Sequence, residues 1–460
     1  MENITVTGVK ITDGPQDWQI FQRDRAGFAA ITVGGTWEAD EVEFYIQGRL
    51  VDENLNMPVA AYLDWQDATL DLATKRFSLT LEKVPQGGLY RLETRIKRPQ
   101  ALDLRPLRGD YIHHIGVGDI YVIAGQSNSS GTGKGIVNDG PLLGVHLFAN
   151  DERWKLAMHP LEDATNTLHP VTITRIFHGH SPWLAFARTI FQKTGIPVGL
   201  VPTALGGSPI SRWLVGEEAD GDLFKNMADM LQKAGGKTAG ILWYQGETEV
   251  MQGKVAEYPQ KFARFAEAVR ALAHDPELPI FTGQLNAFTD AQADAAGWSR
   301  MREVQRSLSH RLKNVYLVVT VDCPLSDPIH NSSGSNVWIG ERFAFAALAA
   351  VYGKSIAARH PEVTGAAFTG EDRRTIRLDF ENVTGGWTPD PSPNEFSVQD
   401  ESGWLPVTAL GFGPEDSLIL GLSRPAQGRT TVHGLYGLSP RPTMFDDNGR
   451  CMVPFSLTLD

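Results

Sequence analysis

Cysteine is the scarcest informative residue in this chain: 460 residues carry two, Cys323 and Cys451. Two thiols so far apart build no disulfide framework, and neither sits in a CxxC pair of the kind that holds zinc or cycles electrons. They read as ordinary buried thiols. Long apolar runs are missing too. No stretch reaches the roughly 18–20 consecutive apolar residues that span a bilayer, so no membrane partner is expected. Met1-Glu2-Asn3-Ile4-Thr5 has neither the basic nor the apolar segment of a secretory leader, which points to the cytoplasm. Positive charge is in deficit: 42 Lys and Arg stand against 54 Asp and Glu, a net charge of −12. Without clustered cations to displace counterions from phosphates, a nucleic-acid partner is not expected.

What is present suits packed cores. Hydrophobic residues make up 42% and charged residues 21%, a balance that disfavours extended disorder. The length allows about two to four ordinary domains, and the texture changes twice along it. Short alternating runs such as Arg76–Leu81 and Tyr90–Ile96 predict an antiparallel β sandwich over residues 1–114. Near-continuous apolar runs follow at Ile120–Ala124, Val198–Pro202, Ile241–Tyr244, Ile280–Leu285 and Val315–Val321, as expected of strands buried on both faces of a parallel sheet. Helical patterns lie between them: one capped by Ser181 and Pro182 and ended by Gly195, others over Gln260–Ala273 and Gly340–Val351. An α/β domain is therefore expected over 115–358. From 359 to 460, runs such as Thr375–Phe380 and Leu418–Leu420 among Gly- and Pro-rich turns predict a second β domain.

Open α/β sheets bind ligands outside the carboxyl ends of their strands, so the residues after each run matter most. They are Gly125-Gln126-Ser127-Asn128, then Leu205-Gly206-Gly207-Ser208, then Gln245-Gly246-Glu247, then Asp327-Pro328-Ile329-His330. These are the parts of an acyl-transfer site. A serine hydroxyl needs a base, histidine titrates in the useful range, and a carboxylate commonly orients it. The oxyanion formed on attack needs donors, which the amides of Ser127 and of Gly206 or Gly207 can supply, with the side chain of Asn128 or Gln245. The α/β-hydrolase elbow G-x-S-x-G is absent, since Ser129 stands where its second glycine would be. His178-Gly179-His180 and His113-His114 have no carboxylate or cysteine at ligand spacing, so no metal site is expected from them.

The blocks GDIYVIAGQSNSSG (118–131), VGLVPTALGGSPISRW (198–213), ILWYQGETEV (241–250) and DPIHNSSG (327–334) together resemble the SGNH-hydrolase superfamily. The likeness is to its carbohydrate-esterase branch, which contains sialate O-acetylesterases. The resemblance implies a flavodoxin-like parallel sheet flanked by helices. It implies Ser127 as nucleophile, His330 as general base and Asp327 as the orienting carboxylate, with Glu247 a second carboxylate nearby. Gly206 or Gly207 would give an oxyanion-hole amide, and Gln245 takes the place where other branches use asparagine. It also puts Arg212 and Trp213 near the acyl or sugar pocket, with Asn128 and Glu247 beside the substrate.

The expected function is removal of O-acetyl groups from a sugar or oligosaccharide, without a cofactor. A sialate carboxylate would need a local cation, for which Arg212 and Arg302 are the candidates. Two other readings stay open at this point: a carbohydrate-binding protein on an inactive esterase scaffold, and an arylesterase or lipase-like enzyme preferring longer acyl chains.

Overall fold

The computed structural model describes residues 8–39, 43–98, 107–173, 178–388 and 392–459; the leader test on Met1–Thr5 lies outside them. Alternation decides the first part. In Arg76–Pro85, Phe77, Leu79 and Leu81 turn inward while Arg76, Ser78 and Thr80 face solvent, the period of two that half-buries a strand. This strand pairs antiparallel with Phe28–Glu38 in a four-stranded sheet. A second antiparallel set contains Tyr45–Asp52, Gly87–Lys97 and the start of Leu107–Gly125. Its Leu50, Leu92, Ile112 and Ile115 share one apolar cluster with Ile31, Val33, Leu79 and Leu81 of the first sheet. The two sheets pack face to face.

The strand Leu107–Gly125 does not end with that pair of sheets. Its first part runs antiparallel to Gly87–Lys97; its last part runs parallel to Val198–Pro202 on one side and Gly240–Tyr244 on the other. The boundary expected at residue 114 therefore falls inside one continuous strand. Ile280–Gly283 and Val315–Val318 extend the parallel sheet beyond Gly240–Tyr244. Val145–Phe148 and the antiparallel Trp154–Leu156 close its other edge. Every residue of Val198–Pro202 and Gly240–Tyr244 is buried, which is why these strands read as continuous apolar runs. Without the two edge strands, the five parallel strands follow the order 2-1-3-4-5 in chain sequence. The winding reverses at Leu107–Gly125, and such a reversal opens a crevice at the carboxyl end of the sheet.

Helices cover the sheet, with local corrections to the expected ends. Trp183–Thr194 starts after Pro182, and no side chain caps it, so Ser181 is not the cap that the sequence suggests. Gly195 ends it in the left-handed region, its N–H bonding to the Phe191 carbonyl. Ser333–Ala350 begins well before Gly340 because Ser332 caps it, accepting from the Ser335 N–H. Ala295–Arg311 escaped the sequence reading. Its buried face carries Arg302, Gln305 and Arg306 beside Trp298 and Met301, which breaks the apolar period.

Two four-stranded antiparallel sheets close the chain. Their core joins Ile376, Leu378, Val398, Val432 and Phe455 with Val319 and Val321, on the segment leading towards Asp327. Arg302, fully buried, fastens this region to the helix Ala295–Arg311. Its guanidinium donates to the carbonyls of Leu285, Asn286, Gly437 and Leu438 at 2.6–3.1 Å. Among the described residues, no helix is long and apolar enough to cross a membrane. Cys323 and Cys451 are both buried free thiols, and burial pushes Cys323 up to about 12.

Candidate active site

The turn that presents Ser127 depends on one glycine. Gly125 has φ +122°, and a Cβ there would lie 2.2 Å from the Tyr244 carbonyl oxygen. Glycine alone tolerates both conditions. Gln126 follows, and Ser127 opens the short helix Ser127–Ser130 at the carboxyl end of the strand where the winding reverses.

The loop after Val315–Val318 brings the other two residues to it. Ser127 Oγ lies 3.0 Å from His330 Nε2, and His330 Nδ1 lies 2.9 Å from Asp327 Oδ2. Asp327 also holds its own loop: Oδ1 accepts the N–H groups of Ile329 at 3.1 Å and His330 at 2.9 Å. Burial alone would raise the Asp327 carboxyl. The His330 ring and the two backbone N–H groups outweigh it and hold the acid at about 2. Lys134 Nζ approaches the same Oδ2 to 3.3 Å.

Asn128 and Glu247 turn away from any substrate and towards this loop. Asn128 Nδ2 donates to Glu247 Oε1 at 2.9 Å and to the Ile329 carbonyl at 3.2 Å, while its Oδ1 accepts the Asn331 N–H at 3.0 Å. The amide thus grips the chain on both sides of His330. Glu247 is buried, which raises its carboxyl above the usual range. It contacts Asn128, not the His330 ring, so Asp327 is the carboxylate on the histidine. The expectation that Asn128 and Glu247 face the substrate is corrected: both are buried, Asn128 bonded on both its amide atoms and Glu247 bonded through Oε1. Asn331, which the sequence reading passed over, adds a second layer through bonds with Asn286 and Tyr244.

The glycine loop is anchored at both ends by buried acids. Glu162 Oε1 accepts the Ala204 N–H and Glu249 Oε1 accepts the Ile210 N–H, each at 2.7 Å. Burial pushes Glu162 up to about 8. Gly206 and the exposed Gly207 lie between these anchors. Among the described residues, the N–H groups of Ser127, Gly206 and Gly207 donate to no protein acceptor.

Two expected contacts are overturned, and a third residue is engaged by a neighbouring acid. Gln245 is fully buried, and its Nε2 is committed to Gln126 Oε1, the Ser208 carbonyl and Glu249 Oε2, so it offers no donor to an oxyanion. Trp213 is 0% exposed and packs edge-on against Trp243 and Phe265 in the core. Arg212 is held by Asp222, with Nε at 3.0 Å and Nη2 at 2.6 Å from its two oxygens. Arg302 likewise has its donors on backbone carbonyls, and burial lowers it to about 9.

Residues 117–349, just over half of the chain, match the family model SASA, described as carbohydrate esterase, sialic acid-specific acetylesterase. A protein of Arabidopsis thaliana named as a probable carbohydrate esterase is 30% identical over 254 residues, covering 50% of this chain and 90% of that protein. The crystal structure of a carbohydrate acetylesterase from Xanthomonas citri superposes with a TM-score of 0.67 at 21% identity, covering 99% of each chain; at that identity it speaks for the mixed α/β, multi-sheet fold. The serine, histidine and carboxylate brought together here thus lie within the matched segment, and the chain belongs to the SASA family of carbohydrate esterases, which makes it a carboxylic ester hydrolase.

Proposed function

We propose that this esterase removes O-acetyl groups from a carbohydrate through an acetyl-serine intermediate, with Ser127 as nucleophile, His330 as general base and Asp327 as the carboxylate that orients it. One observation carries the reading: the relay of 3.0 Å from Ser127 Oγ to His330 Nε2 and 2.9 Å from His330 Nδ1 to Asp327 Oδ2. The hydroxyl proton passes to Nε2 as Oγ attacks the acetyl carbonyl. The unspent N–H of Ser127 and that of Gly206 or Gly207 supply the oxyanion donors. Collapse expels the sugar oxygen, which takes the proton from Nε2 and leaves Ser127 acetylated. Water then gives a proton to the same nitrogen and attacks the acetyl-serine. Acetate departs, and Ser127 recovers its proton.

The 2-1-3-4-5 strand order with a serine at the reversal point supports the SGNH, flavodoxin-like assignment. The change from antiparallel to parallel pairing supports a catalytic unit over 115–358 between β units over 1–114 and 359–460. Arg302 has its donors on backbone carbonyls and Arg212 has Nε and Nη2 on Asp222, so neither of the two cations considered for a sialate carboxylate is free of a partner. A neutral O-acetylated sugar fits this site better than an acidic one. The test is acetate release from acetylated xylo-, manno- and gluco-oligosaccharides and from O-acetyl sialate. Turnover highest on a neutral glycan is expected. Turnover on none of them, or a preference for long acyl chains, would reject the reading.

Positioning by Asn128 gives a further expectation. Asn128→Ala frees the chain on both sides of His330 and leaves Glu247 without a partner. Loss of alignment by about 1 Å costs roughly 10²-fold, so kcat is expected to fall by about 10–100-fold with KM little changed. Leaving buried groups unpaired should lower unfolding stability by about 1–3 kcal/mol, read by urea melts beside steady-state kinetics. An unchanged kcat would remove Asn128 from this role.

A further inference from the structure

Away from the serine, three segments converge on a second group of side chains. Asp139, His159 and His180 present one carboxylate oxygen and two imidazole nitrogens, all within 4.8 Å of one another. Asp139 Oδ2 lies 3.2 Å from His159 Nε2 and 3.1 Å from His180 Nε2, and the two rings are 3.9 Å apart at their centroids. Arg188 Nη1 takes the other oxygen, Oδ1, at 2.6 Å, which leaves Oδ2 facing both imidazoles.

His180 is the telling residue. It is 8% exposed, and neither ring nitrogen has a hydrogen-bond partner among the described residues. Its Nε2 sits close to Asp139 Oδ2, yet without the alignment of a hydrogen bond. Buried polar atoms are rarely left so, because the water they gave up is not replaced. A metal ion would use that lone pair. Tetrahedral zinc with bonds of about 2.0–2.1 Å sets neighbouring ligand atoms about 3.3–3.4 Å apart, close to the two separations observed. Two imidazoles and a carboxylate are the donor set that suits this class of ion.

Charge permits it as well. The groups around Oδ2 are the Asp139 carboxylate, the Arg188 guanidinium and the half-buried Glu341, which feels both. A second cluster, Glu152, His169 and Asp229, offers one imidazole and two carboxylates, and Lys233 Nζ bridges those carboxylates, so a cation already lies between them.

We propose that Asp139, His159 and His180 bind a divalent cation of the zinc class, with a fourth position left to water. Along the sequence no carboxylate stands at ligand spacing beside His178-Gly179-His180; the fold brings one from Asp139, in a separate segment. The ion's role is to fasten segments flanking the serine site. His180 and Gly133 exchange backbone hydrogen bonds at 3.0 Å in both directions, and Lys134, the next residue, reaches Asp327. It takes no part in the transfer of the acyl group.

The test uses the full chain, stripped with chelator and titrated with zinc chloride by calorimetry, and with cobalt(II) by visible absorption. One zinc per chain, a cobalt spectrum typical of four-coordinate nitrogen and oxygen ligands, and a raised melting temperature are expected. His159→Gln and Asp139→Asn should each weaken binding by roughly 10²-fold or more, because each removes a direct ligand. Two variants are used so that a folding defect in one does not decide the matter, with circular dichroism confirming the fold. Absence of stoichiometric zinc binding by the stripped wild type would overturn the proposal. So would binding that persists unchanged in both variants, which would assign the ion to other residues.

Discussion

Ser127→Ala is expected to lower kcat for acetate release by roughly 10⁴–10⁶-fold, the range seen when the nucleophile of such a relay is deleted. The size follows from what remains. On the proposed mechanism the N–H of residue 127 and that of Gly206 or Gly207 would still serve an oxyanion, but water must attack unaided by covalent catalysis. Ser127 Oγ bonds only to His330 among the described residues, so its loss leaves no buried partner stranded within the core. Unfolding stability should therefore stay within about 0.5 kcal/mol of the wild type. Intact-protein mass spectrometry after rapid acid quench should show a wild-type chain heavier by one acetyl group, carried on Ser127, and an unmodified variant. A variant retaining more than a few per cent of turnover would sink the nucleophile assignment.

Asp327→Asn is the second large effect, expected at roughly 10⁴-fold in kcat. The direction of the replaced amide can be reasoned out. Oδ1 of Asp327 accepts two backbone N–H groups, while Oδ2 faces His330 Nδ1. Asparagine would keep its oxygen on the two N–H groups and turn its NH₂ towards Nδ1. That nitrogen must then accept, which puts the ring proton on Nε2 and removes the base from Ser127. The wrong tautomer is a fault that pH cannot correct, so raising the pH should not restore the rate. Stability responds separately. Because the folded protein holds the Asp327 carboxyl at about 2, below the ordinary value of about 3.9, the group stabilises the fold above the ordinary range and the benefit is lost as pH falls through about 2. The asparagine variant lacks that dependence. Acid titration followed by circular dichroism separates this loss from the kinetic one.

Ser127, Asp327 and His330 were legible because each follows an apolar run that had to be a buried parallel strand, and such strands deliver their loops to one edge. Side-chain direction was not legible. Trp213 and Ile210 lie on one short turn and both point into the core, while Gln245 at a strand end looks accessible until Glu249, one helical turn on, claims its amide. The sequence also hides partners that arrive from far away. Glu162 follows no strand-end motif, yet it fixes the start of the glycine loop through Ala204. Helix ends shifted for the same local reason: caps depend on which hydroxyl reaches an amide, as Ser332 does and Ser181 does not.

The strand Leu107–Gly125 has a consequence for how this enzyme can be taken apart. Its amino-terminal part belongs to the ladder with Gly87–Lys97, and its carboxyl end presents the nucleophile. A cut near residue 114 would fall inside the ladder with Gly87–Lys97, which runs on to Val117, two residues before the parallel pairing with Val198–Pro202 begins at Asp119. The passage from Ala350 to Glu362, by contrast, holds neither strand nor helix. A cut there would still strand the Arg302 guanidinium, two of whose carbonyl partners are Gly437 and Leu438, and would uncover Val319 and Val321, so the far junction is open in backbone and closed in packing.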